Sequence, residues 1–309
     1  MNSSIDTPTT MGAERRRPRI VDFVVRMAKK KPAGLVFGAV LIFMLFTGIF
    51  ADRMAPYGMN DLHLDNRLET PSAQFWLGTD QLGRDVLSRL LYGARISVIV
   101  SLSATTICIF IAALIGVPSG FLGGKFDVVV QRVVDALMAF PGLLLLITVM
   151  SLVGTGALQI ILILGFYYGI QNCRVIRSAV IGIKENAYMA AAESIGSPAY
   201  RTIVRHVIPN IMAPTIIIFT TTIGAVIMSE AWLSFLGYGL PPDVASWGGM
   251  LSWDGRKYME LAPALAIWPG LCLTGVVYCA NMFGDTLRDL LDPRLMGSAG
   301  RYGGVKKRT

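Results

Sequence analysis

Charged residues are scarce in this sequence. Asp, Glu, Lys and Arg make up 16% of the 309 residues, whereas an ordinary soluble domain has about 25%. There are four cysteines and none forms a C-x-x-C pair, so the sequence lacks the spacing of a redox or zinc site. The two histidines are His63 and His206, and the topology derived below places them on opposite sides of a membrane. These shortages argue against a soluble enzyme and against a catalytic or metal site.

Apolar residues are abundant and occur in long blocks. They make up 53% of the chain, and the mean hydropathy is +0.56. Because a bilayer core about 30 Å thick needs roughly 20 apolar helical residues, runs without Asp, Glu, Lys or Arg are candidate membrane spans. Five such runs are present: Ala33–Ala51, Ile96–Gly124, Ala136–Cys173, Val207–Ser229 and Leu261–Gly284.

The third run has 38 residues, which is too long for one crossing, and Gly154-Thr155-Gly156 interrupts it. We interpret it as two crossings joined by a tight turn, so the sequence predicts an all-α integral membrane protein with six transmembrane helices. An even number places both termini on one side. Of the 28 Lys and Arg residues, 21 fall on that side, so the positive-inside rule predicts that both termini are cytoplasmic.

These spans divide the chain into five parts. The fourth of them contains the largest internal cytoplasmic connection, residues 171–209, in which residues 183–209 form the loop discussed below. The parts are a basic cytoplasmic tail over 1–32, a first transmembrane helix over 33–51, an extracytoplasmic loop over 52–92, a transmembrane domain of five helices over 93–286, and a cytoplasmic tail over 287–309.

Three other interpretations fit the sequence poorly. The basic clusters at 15–17 and 29–31 precede the first span, where they retain the N-terminus and meet lipid headgroups, so we expect no nucleic-acid partner. The first apolar run has 19 residues, longer than the core of a cleaved signal peptide. The stretch Gly120–Lys125 lacks the spacing of a phosphate loop and Phe126 stands where Ser or Thr must follow, so this chain should not hydrolyse ATP.

The most informative region is the cytoplasmic connection. Its residues 188–196 read YMAAAESIG, and HVIP follows nine residues later. Small alanines let a helix approach a partner closely, and a glycine permits a sharp turn. This segment resembles the cytoplasmic loop E-A-A-x-x-x-G-x9-I-x-L-P of the permease subunits of binding-protein-dependent ABC importers. Four positions agree, Ile208 replaces Leu, His206 stands at the Ile position, and Ala190 stands where the family has Glu. The agreeing residues are Ala191, Ala192, Gly196 and Pro209.

Further segments resemble the dipeptide, oligopeptide and nickel class of these permeases. One is Leu77–Arg89 with Leu91–Arg95 before the second span. Another is Glu230–Gly237, followed by Pro241-Pro242 and Ser246–Gly248. Asp135 with Ala139-Phe140-Pro141 also fits the class. The resemblance covers roughly residues 75 to 295. From position alone, we expect Asp135 to pair with Arg132 and Glu230 to be solvated at the outer face.

The resemblance implies a permease subunit of a type I ABC importer in the bacterial cytoplasmic (inner) membrane. It implies half of a translocation pathway for di- or oligopeptides, operated by alternating access, with no enzymatic activity in this chain. The implied partners are a second homologous permease subunit, two ATPase subunits that hold ATP and magnesium, an extracytoplasmic substrate-binding protein, and membrane lipid. Nickel import is the alternative within the class. An ion-coupled secondary transporter and a membrane-bound hydrolase are alternatives outside it. A secondary transporter would need carboxylates in the middle of a span, and the sequence has none there. A hydrolase would need a nucleophile and a base on the same side of the membrane, and the sequence shows no such pair.

Three groups of residues are candidates for function. The implied ATPase-coupling residues are Ala190, Ala191, Ala192, Glu193, Gly196, His206, Ile208 and Pro209. The candidates for lining the pathway are polar residues within the last two spans, namely Thr220, Thr221, Thr222, Tyr278 and Asn281. Threonine can instead bond to its own helix, whereas an amide needs partners away from lipid. The candidates for docking the binding protein are Trp76 and Trp247 in the outer loops.

Overall fold

The computed structural model describes residues 19–291, and its secondary structure there is helical apart from one isolated bridge between Thr79 and Asp85. Residues 1–18 and 292–309, which belong to the predicted tails 1–32 and 287–309, lie outside the described residues. The α-helices, in chain order, are α1 Arg19–Lys30, α2 Pro32–Ile49, α3 Ala51–Met54, α4 Val86–Leu122, α5 Gly124–Met138, α6 Gly142–Val153, α7 Ala157–Lys184, α8 Ala187–Ser194, α9 Ala199–Thr202, α10 Ile208–Asn210, α11 Met212–Phe235, α12 Trp247–Met250, α13 Trp253–Tyr258 and α14 Ala264–Leu291. A short 3₁₀ turn, Leu64–Asn66, lies in the loop before α4, and a π-helical turn, Ile203–Val207, connects α9 to α10.

Four of these helices are long and apolar enough to cross a membrane: α2, α4, α11 and α14. Within residues 19–291, α5 and α6 meet the same criterion only when they are taken together. Local sequence explains where these helices start. Pro32 opens α2, where its missing N–H costs no hydrogen bond, and the Asp85 carboxylate caps α4 by accepting from the backbone N–H of Ser88 at 2.7 Å.

The third predicted span does not start where the charge-free run starts. Residues Ala136–Met138 belong to α5, and the chain bends by 83° before α6 begins at Gly142. The 12 residues of α6 span about 18 Å, which is less than a bilayer core. The charge-free run alone does not place the start of this span, because the absence of charge does not reveal a bend. The bend lies at Ala139-Phe140-Pro141, where proline disfavours helical geometry in the residue before it.

The predicted tight turn is confirmed. Helix α6 ends at Val153 and α7 begins at Ala157, with Gly154 and Gly156 between them. Both glycines have positive φ angles, +92° and +154°, which side chains with a Cβ rarely adopt. Helix α7 then runs for 28 residues to Lys184.

Helices α4 and α7 form the centre of the fold and approach closely at glycines. An ideal Cβ on Gly116 would lie 2.5 Å from the carbonyl oxygen of Cys173, and one on Gly120 would lie 2.8 Å from that of Arg177. Toward the other end, a Cβ on Gly165 or Gly169 would lie 2.7 Å from the side chain of Ile107 or Ile111. Gly116 and Gly120 are four residues apart, the G-x-x-x-G spacing that lets two helices approach closely. The structure shows a contact that extends along both helices.

The predicted outer segments meet at one end of this pair. Thr155 of the α6–α7 turn lines a pocket together with Asp80, from the loop before α4, and Ser252, from the loop after α12. At the opposite end, the Lys184 ammonium donates to the carbonyl oxygen of Phe121 at 2.6 Å. The fold thus places the loops predicted to be extracytoplasmic on one face and the connection 183–209 on the other.

The close approach of α4 and α7 predicts opposite effects for two alanine substitutions in α7. Gly169→Ala should lower the free energy of unfolding by about 1–3 kcal/mol, because its Cβ would overlap Ile111. Gly182→Ala is the control, since no atom lies within 4 Å of its Cβ position. It should leave stability unchanged or raise it by up to about 1 kcal/mol. Equilibrium unfolding of the purified variants in detergent measures both, and equal stability of the two would contradict a close helix contact.

Candidate functional site

The connection between α7 and α11, residues 183–209, is called the coupling segment below. Its first helix, α8, ends in a tight turn at Gly196, whose φ is +70°. The N–H of Gly196 donates to the carbonyl of Glu193 at 2.9 Å, and the N–H of Ser197 donates to that of Ala192 at 3.1 Å. This pair of bonds is the Schellman motif, which ends a helix and reverses the chain. The glycine therefore has the turning role that the sequence predicts for it.

Helix α8 is anchored on one side and free on the other. Met189 and Ala192 are buried, and Met189 belongs to a core cluster with Val117 of α4, Val180 of α7 and Val207. The other predicted coupling residues of this helix, Ala190, Ala191 and Glu193, are exposed. An exposed face of small side chains on a buried anchor is a surface onto which a partner can pack closely.

The second half of the coupling segment is helical from α9 through the π-helical turn to α10. Pro209 has no N–H to donate to the carbonyl of Arg205, and the wider π-helical turn lies just before it. His206 is half-buried with its ring centroid 6.1 Å from that of Tyr188, while Ile208 and Pro209 are exposed. A groove of about 480 Å³ separates this half from α8 and is lined by Gly196 and His206 among others. The groove thus brings together three predicted coupling residues from the two halves, Ala192, Gly196 and His206.

The coupling segment also carries large apolar side chains that the sequence analysis missed. Ile195 is 84% exposed, and Tyr200 and Val204 are more than half exposed. They belong to the connection between spans, so lipid does not explain their exposure. Exposed large apolar side chains in such a connection are typical of an interaction site. The signal in the sequence was the presence of these residues in a connection that also carries charged residues, unlike the charge-free runs.

Ion pairs fasten α5 to α7 next to the coupling segment. The Arg177 guanidinium binds the Asp127 carboxylate, which also accepts from the Ser119 hydroxyl at 2.5 Å. Asp135 pairs with Arg132 at 3.4 Å, as its position in the sequence predicted, and in addition with Arg174 of α7. The charges on α7 therefore hold the bent pair α5–α6 against the helix that leads into the coupling segment.

The predicted pathway residues divide into two groups. Thr222 is buried. The Thr220 and Thr221 hydroxyls donate to carbonyls one turn earlier in α11 at 3.0–3.2 Å, so the hydrogen-bonding needs of these two hydroxyls are met within the helix. Tyr278 and Asn281 of α14 are exposed. The Asn281 amide donates to the carbonyl of Val277 at 3.0 Å. Polar groups exposed at membrane depth require protein or water beside them.

The two tryptophans predicted to dock a binding protein lie in different environments. Trp76 is 69% exposed in the loop before α4. Trp247 is 3% exposed, its indole N–H donates to the carbonyl of Leu90 at 3.0 Å, and its ring lies against Gly93. The expectation that Trp247 contacts a partner is therefore corrected, because the ring joins α12 to α4 inside the protein.

Glu230 also departs from its expected position. It is 1% exposed, near the end of α11, and its carboxylate accepts from the Ser234 hydroxyl at 2.7 Å. It is not solvated at the outer face, because the chain after α11 folds back over it. Near it, the Tyr168 and Ser229 hydroxyls lie 2.8 Å apart and join α7 to α11. The sequence gave no sign of this buried polar contact between helices.

At the end of the fold that carries the loop before α4, an ion pair fastens α3, which follows α2, to α4. The Arg95 guanidinium holds Asp52 of α3 through two hydrogen bonds of 3.0 and 2.7 Å, and these lower the pKa of that carboxyl below its ordinary value. The Arg95 Nε also donates to the carbonyl of Gly48 at 3.0 Å. The loop before α4 is thus tied down at its start as well as at its end.

Comparison with known proteins places these features in one family. Residues 112–297 match the family described as "Binding-protein-dependent transport system inner membrane component". The chain is 38% identical to the probable peptide ABC transporter permease protein y4tQ of Sinorhizobium fredii over 280 residues, which cover 90% of this chain and 94% of that protein. It is 35% identical to the glutathione transport system permease protein GsiD of Escherichia coli over 277 residues, 88% of this chain and 90% of that one. The same identity and coverage hold for GsiD of Shigella boydii.

The two tryptophans predict contrasting effects on stability. Trp247→Ala should lower the free energy of unfolding by about 3–5 kcal/mol, because it leaves a cavity between α4 and α12. Trp76→Ala should change it by less than about 0.5 kcal/mol, since the ring is exposed. Denaturant unfolding followed by tryptophan fluorescence in detergent compares them. A loss of stability in Trp76→Ala as large as that in Trp247→Ala would contradict these placements.

Proposed function

Because this chain belongs to the family of binding-protein-dependent ABC transport system inner membrane components, we propose that it forms half of the translocation pathway of an importer for di- or oligopeptides. It is a multi-pass protein of the bacterial inner membrane. Peptide specificity is supported by two relatives, one named as a peptide permease and one as a permease for glutathione, itself a small peptide. Both are similar to this chain along nearly its whole length.

The proposed topology has six crossings with both termini in the cytoplasm. Helices α2, α4, α7, α11 and α14 each make a crossing, and α6 makes the remaining one, extended by the bend to α5. The excess of Lys and Arg on one side supports this orientation. The grouping of the outer loops at one end supports it as well, and at the other end Lys31 before α2 pairs with Asp289 of α14 at 2.9 Å. Labelling of single cysteines placed in the loop before α4 and in the coupling segment tests it.

The proposed mechanism is alternating access driven by two ATPase subunits, which hold ATP and magnesium. Their closure on ATP moves the coupling segment, and the motion passes into α7 and α11, between which this segment lies. The observation that carries the proposal is the coupling surface: an exposed small-residue face, a glycine-controlled turn and exposed apolar side chains on an anchored helix. The exposed Tyr278 and Asn281 are proposed to face the pathway shared with the second permease subunit. The outer loop that carries Trp76 is proposed to receive the substrate-binding protein.

Capture and transport test this function. Purification of the chain from native membranes in mild detergent should recover a second permease and ATPase chains in stoichiometric amounts. The captured transporter, in proteoliposomes with its binding protein, should accumulate a di- or oligopeptide when ATP is supplied. ATP-dependent uptake of nickel without uptake of peptide would favour the alternative substrate. A chain that purifies alone and transports without ATP would favour a secondary transporter and contradict the proposal.

The turn at Gly196 predicts a specific coupling defect. Gly196→Val should reduce peptide uptake at least tenfold while ATP hydrolysis continues, because a β-branched residue cannot adopt a φ of +70° without strain and the coupling surface changes shape. Gly196→Asn is the matched control, since asparagine tolerates this conformation, and it should retain most of the uptake. Uptake and ATPase activity are measured on the same proteoliposomes. Normal uptake by Gly196→Val at wild-type protein level would contradict the coupling role.

A further inference from the structure

A small polar pocket opens at the outer end of the α4–α7 pair and is called the outer pocket below. Its volume is about 210 Å³. Its walls come from the loop before α4, the α6–α7 turn and the loops after α11 and α12. Three charged residues line it: Asp80, Arg84 and Arg89. All three are buried, although the pocket itself is open to the outer face.

Two of these three residues, Asp80 and Arg84, form an ion pair with each other. The Asp80 carboxylate accepts from the backbone N–H groups of Leu82 at 2.8 Å and Arg84 at 2.9 Å, and from the Arg84 Nε at 2.7 Å. These bonds shape the tight turn that precedes α4. Their role in shaping this turn is therefore sufficient to explain why Asp80 and Arg84 occur in this stretch.

Arg89 has no such close ion pair with Asp80. Arg89 is 5% exposed, and its Nε lies 3.8 Å from the Asp80 carboxylate, beyond hydrogen-bonding distance. Its Nη1 donates to the carbonyl of Met59 at 3.3 Å and to the Asn60 side-chain oxygen at 3.4 Å, both longer than the 2.7–2.9 Å of a charge-assisted bond. Among the side chains that the structure describes, which do not include those of residues 253–255, Asp80 supplies the only carboxylate within 4 Å of this guanidinium. Two buried arginines therefore share one aspartate, and the three charged side chains described in the pocket wall carry a net positive charge.

We propose that the outer pocket binds a carboxylate, with Arg89 as the principal donor. A buried guanidinium without a close counter-ion is unfavourable, and its planar donors fit a carboxylate in a bidentate arrangement. The pocket is smaller than the roughly 300–1,000 Å³ of sites that enclose whole small molecules. It therefore has room for one carboxylate-bearing group and not for an entire oligopeptide.

Two groups at the outer face carry this chemistry. One is the C-terminal carboxylate of the transported peptide, and the other is an acidic side chain of the substrate-binding protein. Both rest on the proposed function, because each presupposes peptide import with a binding protein. They differ in what removal of the Arg89 charge would change, so one set of variants distinguishes them.

The test uses the complete transporter in proteoliposomes with wild type, Arg89→Gln, Arg89→Lys and the control Arg53→Gln. Arg53 is exposed on α3 at the same face, so its substitution removes the same charge outside the pocket. The first readout is the ratio of initial uptake for a peptide and its C-terminal amide. Discrimination by the binding protein is common to all variants, so a change in the ratio reports on this chain. The second readout is the concentration of binding protein that half-saturates ATPase stimulation without peptide.

If the peptide supplies the carboxylate, Arg89→Gln should lower the uptake ratio by about tenfold or more, while half-saturation stays at the wild-type value. If the binding protein supplies it, half-saturation should rise by about tenfold or more and the ratio should stay unchanged. Arg89→Lys retains the charge but not the planar fork, so it should show the same change to a smaller extent. Arg53→Gln should match wild type in both readouts.

Wild-type values of both readouts in an assembled Arg89→Gln transporter would overturn the proposal. Failure of Arg89→Gln to assemble, together with wild-type behaviour of Arg89→Lys, would assign Arg89 to folding and overturn it as well. Uptake of the unmodified peptide by the wild-type transporter is the reference throughout. Its absence would contradict the proposed function, whereas its presence with unaffected variants would contradict only the carboxylate site.

Discussion

The close contact between α4 and α7 is the constraint on which the rest of the structure depends. Glycines on both helices remove side chains where the backbones meet, so the two helices fit closely from Ala104 to Gly120 of α4 and from Gly165 to Val180 of α7. In lipid there is little hydrophobic drive to hold helices together, and packing of this kind replaces it. The other long helices pack around this pair: α2 and α11 contact α4, and α14 lies against α2 and α11. One rigid pair thus reaches from the outer pocket to the coupling segment.

Because the α4–α7 pair is rigid, a displacement of the coupling segment would be passed on to both helices. Met189 and Val207 of that segment share a core cluster with Val117 of α4 and Val180 of α7. Because packed interiors move as units and deform little, displacement of α8 is passed to both helices and is not absorbed in a loop. The ion pair of Asp127 with Arg177 extends the unit to the bent pair α5–α6. An anchored coupling helix is therefore what the proposed mechanism requires of this face.

Much of the fold could be predicted from the sequence because lipid imposes a simple rule on composition. Charge-free runs located α2, α11 and α14, and two glycines located the α6–α7 turn. The rule fails where a helix carries charge but pairs it with a neighbour, as α5 does through Asp127 and Asp135. It also says nothing of which polar side chains are buried. Trp247 and Glu230 looked like outer-loop residues, yet contacts with residues distant in sequence cover both.

The same reasoning explains why the outer pocket could not be found by inspecting the sequence. Its basic residues lie in a stretch that resembles a family pattern, but a pattern does not show which charges neutralise one another. In the structure Asp80 is saturated by the turn it shapes, and the second arginine, one helical turn into α4, is left with weak partners. The pocket walls belong to segments that precede α4, precede α7 and follow α11. If these segments move relative to one another when the transporter changes state, the pocket changes shape with them, and a ligand that prefers one shape favours that state. A carboxylate bound by Arg89 would then be linked, through the α4–α7 pair, to the position of the coupling segment.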